Sequence, residues 1–336
     1  MKRHLASRFL RGDRASSEPA STHLDGHAEL LRATVLCASR HQFHRVAFTD
    51  WGRGGKRGTV ICVHGLTRQG RDFDPLAKEL AMQGYRVICP DLVGRGLSDR
   101  LADPSDYDLA QYVLDMTTLL ASVGATELAW VGCSLGGLIG IIVAGMPNSP
   151  IRRLLVNDVG PYLPLGAVLR IGRYVRAGPA RFTSAEVVDR YFQEILAPFG
   201  RLTPEHWRHL AKHSVMPDSE GGYRLRYDPL IVKGFKPPWV YARRLWSFWD
   251  RIECPTLVLR GADSDLLLPS TAAEMLARNA NARILEIPNC GHMPPLLDAE
   301  QIRIVSDWIN ARSIGLAQPQ DAGRRDARAE WPLAPR

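Results

Sequence analysis

A six-residue stretch, Gly132-Cys133-Ser134-Leu135-Gly136-Gly137, has the residue types and the spacing of a turn that presents a nucleophile. It lies between an apolar run that predicts a buried strand, 128–131, and a second apolar run that predicts a buried helix, 138–143. So sharp a turn strains the backbone of its central residue, and glycines two positions before and after it leave room for neighbouring backbone. The pattern therefore raises the Ser134 hydroxyl to the edge of a sheet as a candidate nucleophile.

A serine hydroxyl needs a base that takes its proton and an acid that holds the base in the right tautomer. His292 is the better candidate base, because it follows a predicted strand and precedes two prolines, which places it on a loop. His64 is the alternative, but it lies in the turn after another strand, where an imidazole braces the loop. Cys133 adjoins the serine, and we interpret it as a small buried apolar residue that points back into the sheet.

Further motifs resemble those of a known family. His64-Gly65-Leu66 and the loop 91–99 are similar to the turns after two successive strands of the α/β-hydrolase family. The stretches Gly261-Ala-Asp-Ser-Asp265 and Gly291-His292 resemble its acid and base positions. The motifs follow the family's order over roughly residues 45–312, and they resemble its serine-nucleophile, esterase-like branch. This resemblance implies an α/β-hydrolase fold, with a mostly parallel sheet flanked by helices and an inserted helical lid.

The resemblance also implies which residues complete the site. The orienting acid is expected at Asp265, four residues before a proline, which is the spacing of the family's Asp-x-x-x-Pro loop. Asp158, at a position that some relatives use instead, and Asp263 stay open as alternatives. The backbone N–H groups of Leu66 and Leu135 are expected to form an oxyanion hole, where each donor is typically worth on the order of 3 kcal/mol.

Strand and helix signals alternate along most of the chain, which is the pattern of a mostly parallel sheet. Apolar residues at steps of three and four predict a helix over 109–123, which ends at Gly124. The glycine-rich segment 51–58 lacks the Gly-Lys-Ser/Thr ending of a phosphate-binding loop, so we interpret it as a hairpin connection. The other predicted elements are helices over 72–83, 185–196 and 204–213, and strands over 59–63, 85–90, 128–131, 153–156, 256–259 and 283–287.

Composition divides the chain into parts. Residues 1–32 and 315–336 show no periodic pattern and are predicted to be disordered. Residues 33–160 and 246–314 are predicted to form the hydrolase core, and 161–245 the helical lid. The lid holds 14 Lys or Arg against 7 Asp or Glu. Two interpretations stay open: its aromatic and basic residues form a small core and a solvated face, or some of them line a channel for an apolar or aromatic substrate that bears an anionic group.

Composition also argues against several classes of function. The 336 residues carry 43 Lys or Arg and 35 Asp or Glu, a net charge of +8, but no basic run is interleaved with aromatics, so we expect no nucleic-acid partner. The longest apolar stretch, 135–146, is too short to span a bilayer, and the N-terminus lacks the apolar core of a secretory signal, while its arginine-rich opening leaves a transit peptide open as an alternative. The six cysteines have no disulfide or metal spacing and are interpreted as reduced core residues of a cytoplasmic protein.

The predicted activity is hydrolysis of a carboxylic ester, thioester or lactone of a small-molecule substrate, through an acyl-enzyme on Ser134 and without a cofactor or a metal. Two alternatives stay open: hydrolysis of a carbon–carbon bond in diketone acids, and a catalytically silent fold that binds a small ligand under the lid. His206, His209 and His213 share a helix face but lack the His-Glu-x-x-His order, so we interpret them as surface histidines. The oligomeric state stays open.

Overall fold

The structure is a computed structural model, and the part of the chain that it describes is built around an eight-stranded sheet. The description covers residues 30–234 and 238–311, without the side chains of 238–243. The predictions made for residues 1–29 and 312–336 lie outside these residues. The strands are β1 Leu30–Ala38, β2 Phe43–Trp51, β3 Thr59–Val63, β4 Arg86–Pro90, β5 Leu128–Cys133, β6 Ile151–Asn157, β7 Val215–Pro217, β8 Tyr223–Leu225, β9 Thr256–Gly261 and β10 Ala282–Ile287.

The order of strands in the main sheet is β1-β2-β4-β3-β5-β6-β9-β10, and β7 and β8 form a separate small sheet. The pairs from β4 to β10 are parallel, while β1 and β2 pair antiparallel at one edge. The mostly parallel α/β-hydrolase sheet is therefore confirmed. The hairpin interpretation of 51–58 is wrong, because β4 lies between β2 and β3 and pairs with both.

Helices flank this sheet. The helix predicted over 109–123 is α2, in which the side chain of Asp108 caps the first turn by accepting a hydrogen bond from the Gln111 N–H at 2.8 Å. Helix α8, which packs on β10, and helix α9, which packs on α1, were not predicted. The helices are α1 Asp74–Met82, α2 Leu109–Ser122, α3 Leu135–Ala144, α4 Leu165–Ala177, α5 Ala185–Ile195, α6 Pro204–Ser214, α7 Pro238–Trp249, α8 Pro269–Arg278 and α9 Ala299–Asn310.

The core lies around the central strands and helix α3. Residues 60–63 of β3 are fully buried, as expected for a parallel strand that is covered on both faces. All ten residues of α3 are buried, which suits a helix that is apolar on every side. The six cysteines are free, and five of them are buried, in agreement with their interpretation as core residues.

The segment between β6 and β9 departs from the strand–helix alternation, and it holds α4 to α7 with the β7–β8 pair. Two predicted boundaries differ from the observed elements. Strand β1 begins at Leu30, three residues before the expected start of the core, and the expected end of the lid at 245 falls inside α7. Helix α7 also packs on the core, since Gly145 leaves no room for a Cβ beside the Phe248 carbonyl.

Among the described residues, no helix combines the length and the apolar character needed to cross a bilayer.

Candidate active site

Ser134 lies on the predicted sharp turn, between the end of β5 and the start of α3. Its backbone has φ +49° and ψ −111°, a conformation that a non-glycine residue rarely adopts. Gly136 is packed so closely against the Val63 carbonyl that a Cβ would overlap it, and a Cβ on Gly132 would overlap the Gly136 backbone. The glycines are thus required by close approach of backbone, as the spacing predicted.

His292 lies on the loop after β10, and its ring reaches Ser134. The distance from His292 Nε2 to Ser134 Oγ is 3.1 Å. On the other side of the ring, Nδ1 lies 2.7 Å from Oδ2 of Asp158. Since a carboxylate accepts a hydrogen bond from Nδ1–H, this contact leaves Nε2 free to take a proton from the serine hydroxyl.

Asp158 directly follows β6 and is fully buried, and the structure fixes both of its oxygens. Oδ1 accepts a hydrogen bond from the Gly261 N–H at 2.9 Å, and Oδ2 accepts one from the Ser264 hydroxyl at 2.7 Å. Asp158 is one of the alternatives left open by the sequence, whereas Ser264 was not predicted. The position of Asp158 was a usable signal for its place at the site, because it comes directly after a strand that is parallel to the strands on either side of it and so lies at the same sheet edge.

Contrary to the expectation, the first-choice acid, Asp265, does not lie beside His292 Nδ1. Its carboxylate forms a paired contact with Arg170 of α4, at 2.6 and 2.7 Å, and its side chain is 49% exposed. Partial burial raises the pKa of Asp265, but the hydrogen bonds and charge of Arg170 outweigh it and lower that pKa. Asp263, the third alternative, is exposed. The loop after β9 thus turns its acids outward, and no pattern in the sequence indicated the contact with Arg170.

The two backbone donors expected at an oxyanion hole flank the site. In the hydrogen bonds found among the described residues, neither the Leu66 N–H nor the Leu135 N–H has an acceptor within the protein. Leu135 is the first residue of α3, whose initial N–H groups lack partners inside the helix. The buried Arg95 guanidinium donates to the Leu66 carbonyl at 2.8 Å and so fixes this peptide. Their role in an oxyanion hole stays a prediction.

His64 and Cys133 have the structural roles that were assigned to them. His64 is buried, its Nε2 accepts a hydrogen bond from the Leu92 N–H at 2.9 Å, and Nδ1 lies 2.6 Å from the Gly65 carbonyl. Burial lowers the pKa of His64 to about 3, so the ring is neutral and joins two loops. Burial likewise raises the pKa of the Cys133 thiol, which keeps it protonated and unreactive.

A small apolar cavity of about 90 Å³ adjoins Ser134. Its aromatic residues, Tyr107 and Tyr112, come from outside the segment 161–245, whereas that segment contributes aliphatic side chains. The segment predicted to form a lid therefore lines the cavity, though not with the aromatic and basic residues considered above. The lining residues are Leu66, Tyr107, Leu109, Tyr112, Ser134, Leu135, Leu138, Val159, Leu163, Val168, Ile171, Gly234 and Leu266.

Two groups of side chains among the described residues have the composition of metal ligands, and neither includes a residue of this site. The first, Cys37 with His44 and Asp115, is buried beneath β1 and α2. The second, Asp74 with His209 and His213, joins α1 to α6, so these two histidines are partly buried rather than free on the surface.

The fold and this geometry define a hydrolase of the α/β-hydrolase class. The sequence signature described as "Alpha/beta hydrolase family" matches residues 60–303, so the chain belongs to that family. It is 46% identical over 283 residues to the 3-hydroxybutyrate-oligomer hydrolase of Cupriavidus necator, covering 82% of this chain and 96% of that protein.

Solved structures agree with this class. An α/β-hydrolase from Novosphingobium aromaticivorans is 32% identical and superposes with a TM-score of 0.72, over 83% of this chain and 98% of that one. A protein from Rickettsia typhi is 29% identical with a TM-score of 0.77, over 84% and 99% of the two chains.

Proposed function

We propose that this protein hydrolyses carboxylic esters through an acyl-enzyme on Ser134, with His292 as the base and Asp158 as the acid that orients it. The observation that carries the proposal is the pair of contacts across one imidazole, 3.1 Å to the serine oxygen and 2.7 Å to a buried carboxylate. Both distances are those of hydrogen bonds, and the contact with the serine oxygen is within the reach needed for proton transfer. Asp265, the residue favoured by the sequence, has no part in this arrangement.

In the first half of the proposed reaction, Ser134 Oγ attacks the ester carbonyl carbon while its proton moves to His292 Nε2. The carbonyl π electrons move onto oxygen, and the resulting oxyanion accepts hydrogen bonds from the N–H groups of Leu66 and Leu135. When the carbonyl re-forms, the bond to the alcohol oxygen breaks. That oxygen takes the proton from His292 and leaves as an alcohol, so the acyl group remains on Ser134.

In the second half, a water molecule takes the place of the alcohol. His292 Nε2 accepts one proton from the water as its oxygen attacks the acyl carbon, and then returns a proton to Ser134 Oγ as the carboxylic acid leaves. Asp158 holds the Nδ1 proton throughout and stabilises the imidazolium that forms twice in the cycle. Its buried position and its bonds from Gly261 and Ser264 keep the carboxylate from rotating away.

The proposed substrates are short linear oligoesters of hydroxy acids, of the 3-hydroxybutyrate type. Support comes from the relative that shares 46% identity and is named for hydrolysis of 3-hydroxybutyrate oligomers. The apolar cavity at Ser134 is small, which suits an acyl unit of few carbons better than a long fatty chain. Such an oligomer also combines apolar methyl groups with a terminal carboxylate. This matches the apolar substrate with an anionic group that the composition of the predicted lid suggests.

The test is the hydrolysis of the 3-hydroxybutyrate dimer and trimer, beside p-nitrophenyl esters of short and long acids. We expect activity on the oligomers and short esters, and a loss of at least about a thousandfold in kcat in Ser134→Ala. Ser122→Ala, at the exposed end of α2, is the matched control and keeps full activity. A fluorophosphonate should label the parent protein and not Ser134→Ala.

Two outcomes would contradict the proposal. An unreactive serine in folded protein would favour a silent ligand-binding fold. Activity on a dienoic diketone acid, with none on esters, would favour carbon–carbon bond hydrolysis.

A further inference from the structure

A second, larger cavity of about 740 Å³ lies between strands β1 and β2, the loops after β3 and β4, and helix α6. It shares no lining residue with the apolar cavity at Ser134. Nothing in the proposed reaction uses it. The lining residues are Arg32, Ala33, Thr34, Ala47, Phe48, Thr49, Gln69, Arg71, Asp91, Gly96, Leu97, Lys212, His213 and Arg226, and we term it the basic cavity.

Four cationic side chains from separate segments face the basic cavity. Arg32 comes from β1, Arg71 from the turn before α1, Lys212 from α6, and Arg226 from the segment after β8. Because these segments belong to both the core and the lid, the cations are brought together only by the fold. They do not form a basic run in the sequence.

Few negative charges balance these cations. Arg71 is paired with Asp74, at 2.6 Å. Asp91 is the acid in the lining, and its two oxygens accept hydrogen bonds from the backbone N–H groups of Gly70 and Leu97, at 2.7 and 2.8 Å. In the part of the chain that the structure describes, neither Arg32 nor Lys212 pairs with a carboxylate. Four cations therefore stand against two carboxylates.

The electrostatic effect on neighbouring groups agrees with this excess. Partial burial, with the charges of Arg32 and Arg71, lowers the pKa of Arg226, although Asp91 opposes the shift. Burial and the surrounding cations lower the pKa of His213 to about 3, which makes this ring a neutral hydrogen-bonding group. Like charges held this close cost free energy unless an anion binds between them.

The rest of the lining suits an organic ligand rather than a bare ion. Ala47 and Leu97 add apolar surface, and the volume falls in the range of small-molecule sites. The hydroxyl groups of Thr34 and Thr49 add further polar contacts.

We propose that the basic cavity binds a small organic anion with two or more negative charges, carried by carboxylate or phosphate groups. Arginine forms paired hydrogen bonds with either group, so the arginines and Lys212 would take the charged groups while Ala47 and Leu97 contact the body of the ligand. The proposal concerns binding alone. It holds or fails independently of the chemistry at Ser134.

The experiment is calorimetric titration of the full chain with citrate and with inorganic pyrophosphate, which separates the two kinds of charged group. Acetate serves as the monovalent control. We expect citrate, pyrophosphate or both to bind with a dissociation constant below about 1 mM at low salt, and more weakly as salt is added.

Two variants test the location. Lys212→Met with Arg226→Met should weaken binding by about tenfold or more, because charged hydrogen bonds are lost. If that double variant lowers the melting temperature, Arg32→Met with Lys212→Met replaces it as the test, because both of these side chains are exposed. Arg208→Met removes the same charge from α6 outside the lining, and should leave the affinity unchanged. Absence of binding by both anions, or equal weakening by Arg208→Met, would overturn the proposal.

Discussion

The choice between Asp158 and Asp265 as the orienting acid gives the sharpest test of the proposed mechanism. In Asp158→Asn, the amide has nearly the size of the carboxylate, and its oxygen can keep the hydrogen bond from the Gly261 N–H. Its NH₂ group then faces His292 Nδ1, at the position where Oδ2 now accepts a hydrogen bond from Nδ1–H over 2.7 Å. Since an NH₂ group only donates, the ring tautomer reverses, and Nε2 carries a proton toward Ser134 instead of accepting one.

The expected loss follows from this reversal. Replacing the acid of a serine–histidine pair by its amide costs roughly 10³- to 10⁴-fold in kcat, or about 4–5.5 kcal/mol in the barrier. Asp265→Asn is the matched control, because it makes the same chemical change in the neighbouring loop. It removes only the half-exposed ion pair with Arg170, so we expect less than about a threefold change in kcat and less than about 1 kcal/mol in stability.

The assay measures kcat and KM of both variants on a short p-nitrophenyl ester, with melting temperatures to show that both are folded. Fluorophosphonate labelling of Ser134 supplies a second readout, and it should become slow in Asp158→Asn alone. If Asp265→Asn loses activity and Asp158→Asn keeps it, the assignment of the acid is refuted. If neither variant changes kcat, His292 is not oriented by a carboxylate.

Three further predictions concern residues around the same framework. Ser264→Ala removes a hydrogen-bond donor to Asp158. Steady-state kinetics should show about a fivefold to tenfold fall in kcat, and urea unfolding should show a loss of about 1–2 kcal/mol in the free energy of unfolding. Gly136→Ala forces a Cβ onto the Val63 carbonyl, so chemical denaturation should show a loss of about 3 kcal/mol or more, or insoluble protein. Burial lowers the pKa of His213 in the folded state to about 3, so the unfolded chain binds more protons below about pH 6.5 and the protein loses stability as the pH is lowered. His213→Gln should therefore make the urea midpoint less dependent on pH between 7 and 5.

Sequence alone predicted the parts of the site that depend on neighbours along the chain. Ser134 was identified because glycines at fixed distances report a tight turn, and His292 because a loop residue after a strand must lie at the sheet edge. The helix α2 was also predicted, since its apolar period is local. The helix α4 was missed, although it supplies both the cavity wall and Arg170. Its position depends on packing against other elements, which periodicity along a single segment does not report.

Asp158 and Asp265 could not be separated by sequence because of the geometry of the sheet itself. Strands β6 and β9 are parallel neighbours, with Asn157 opposite Leu259, so the residues that follow both strands emerge at the same edge. Either carboxylate could therefore reach a histidine placed there. The distinction comes from contacts across the chain. The Gly261 N–H binds Asp158, while Arg170 of the lid holds Asp265. In the proposed mechanism the end of β6 supplies the acid, so the loop after β9 can anchor α4 through Asp265 and Arg170. The wall of the apolar cavity is thus held by a residue that the proposed reaction does not need.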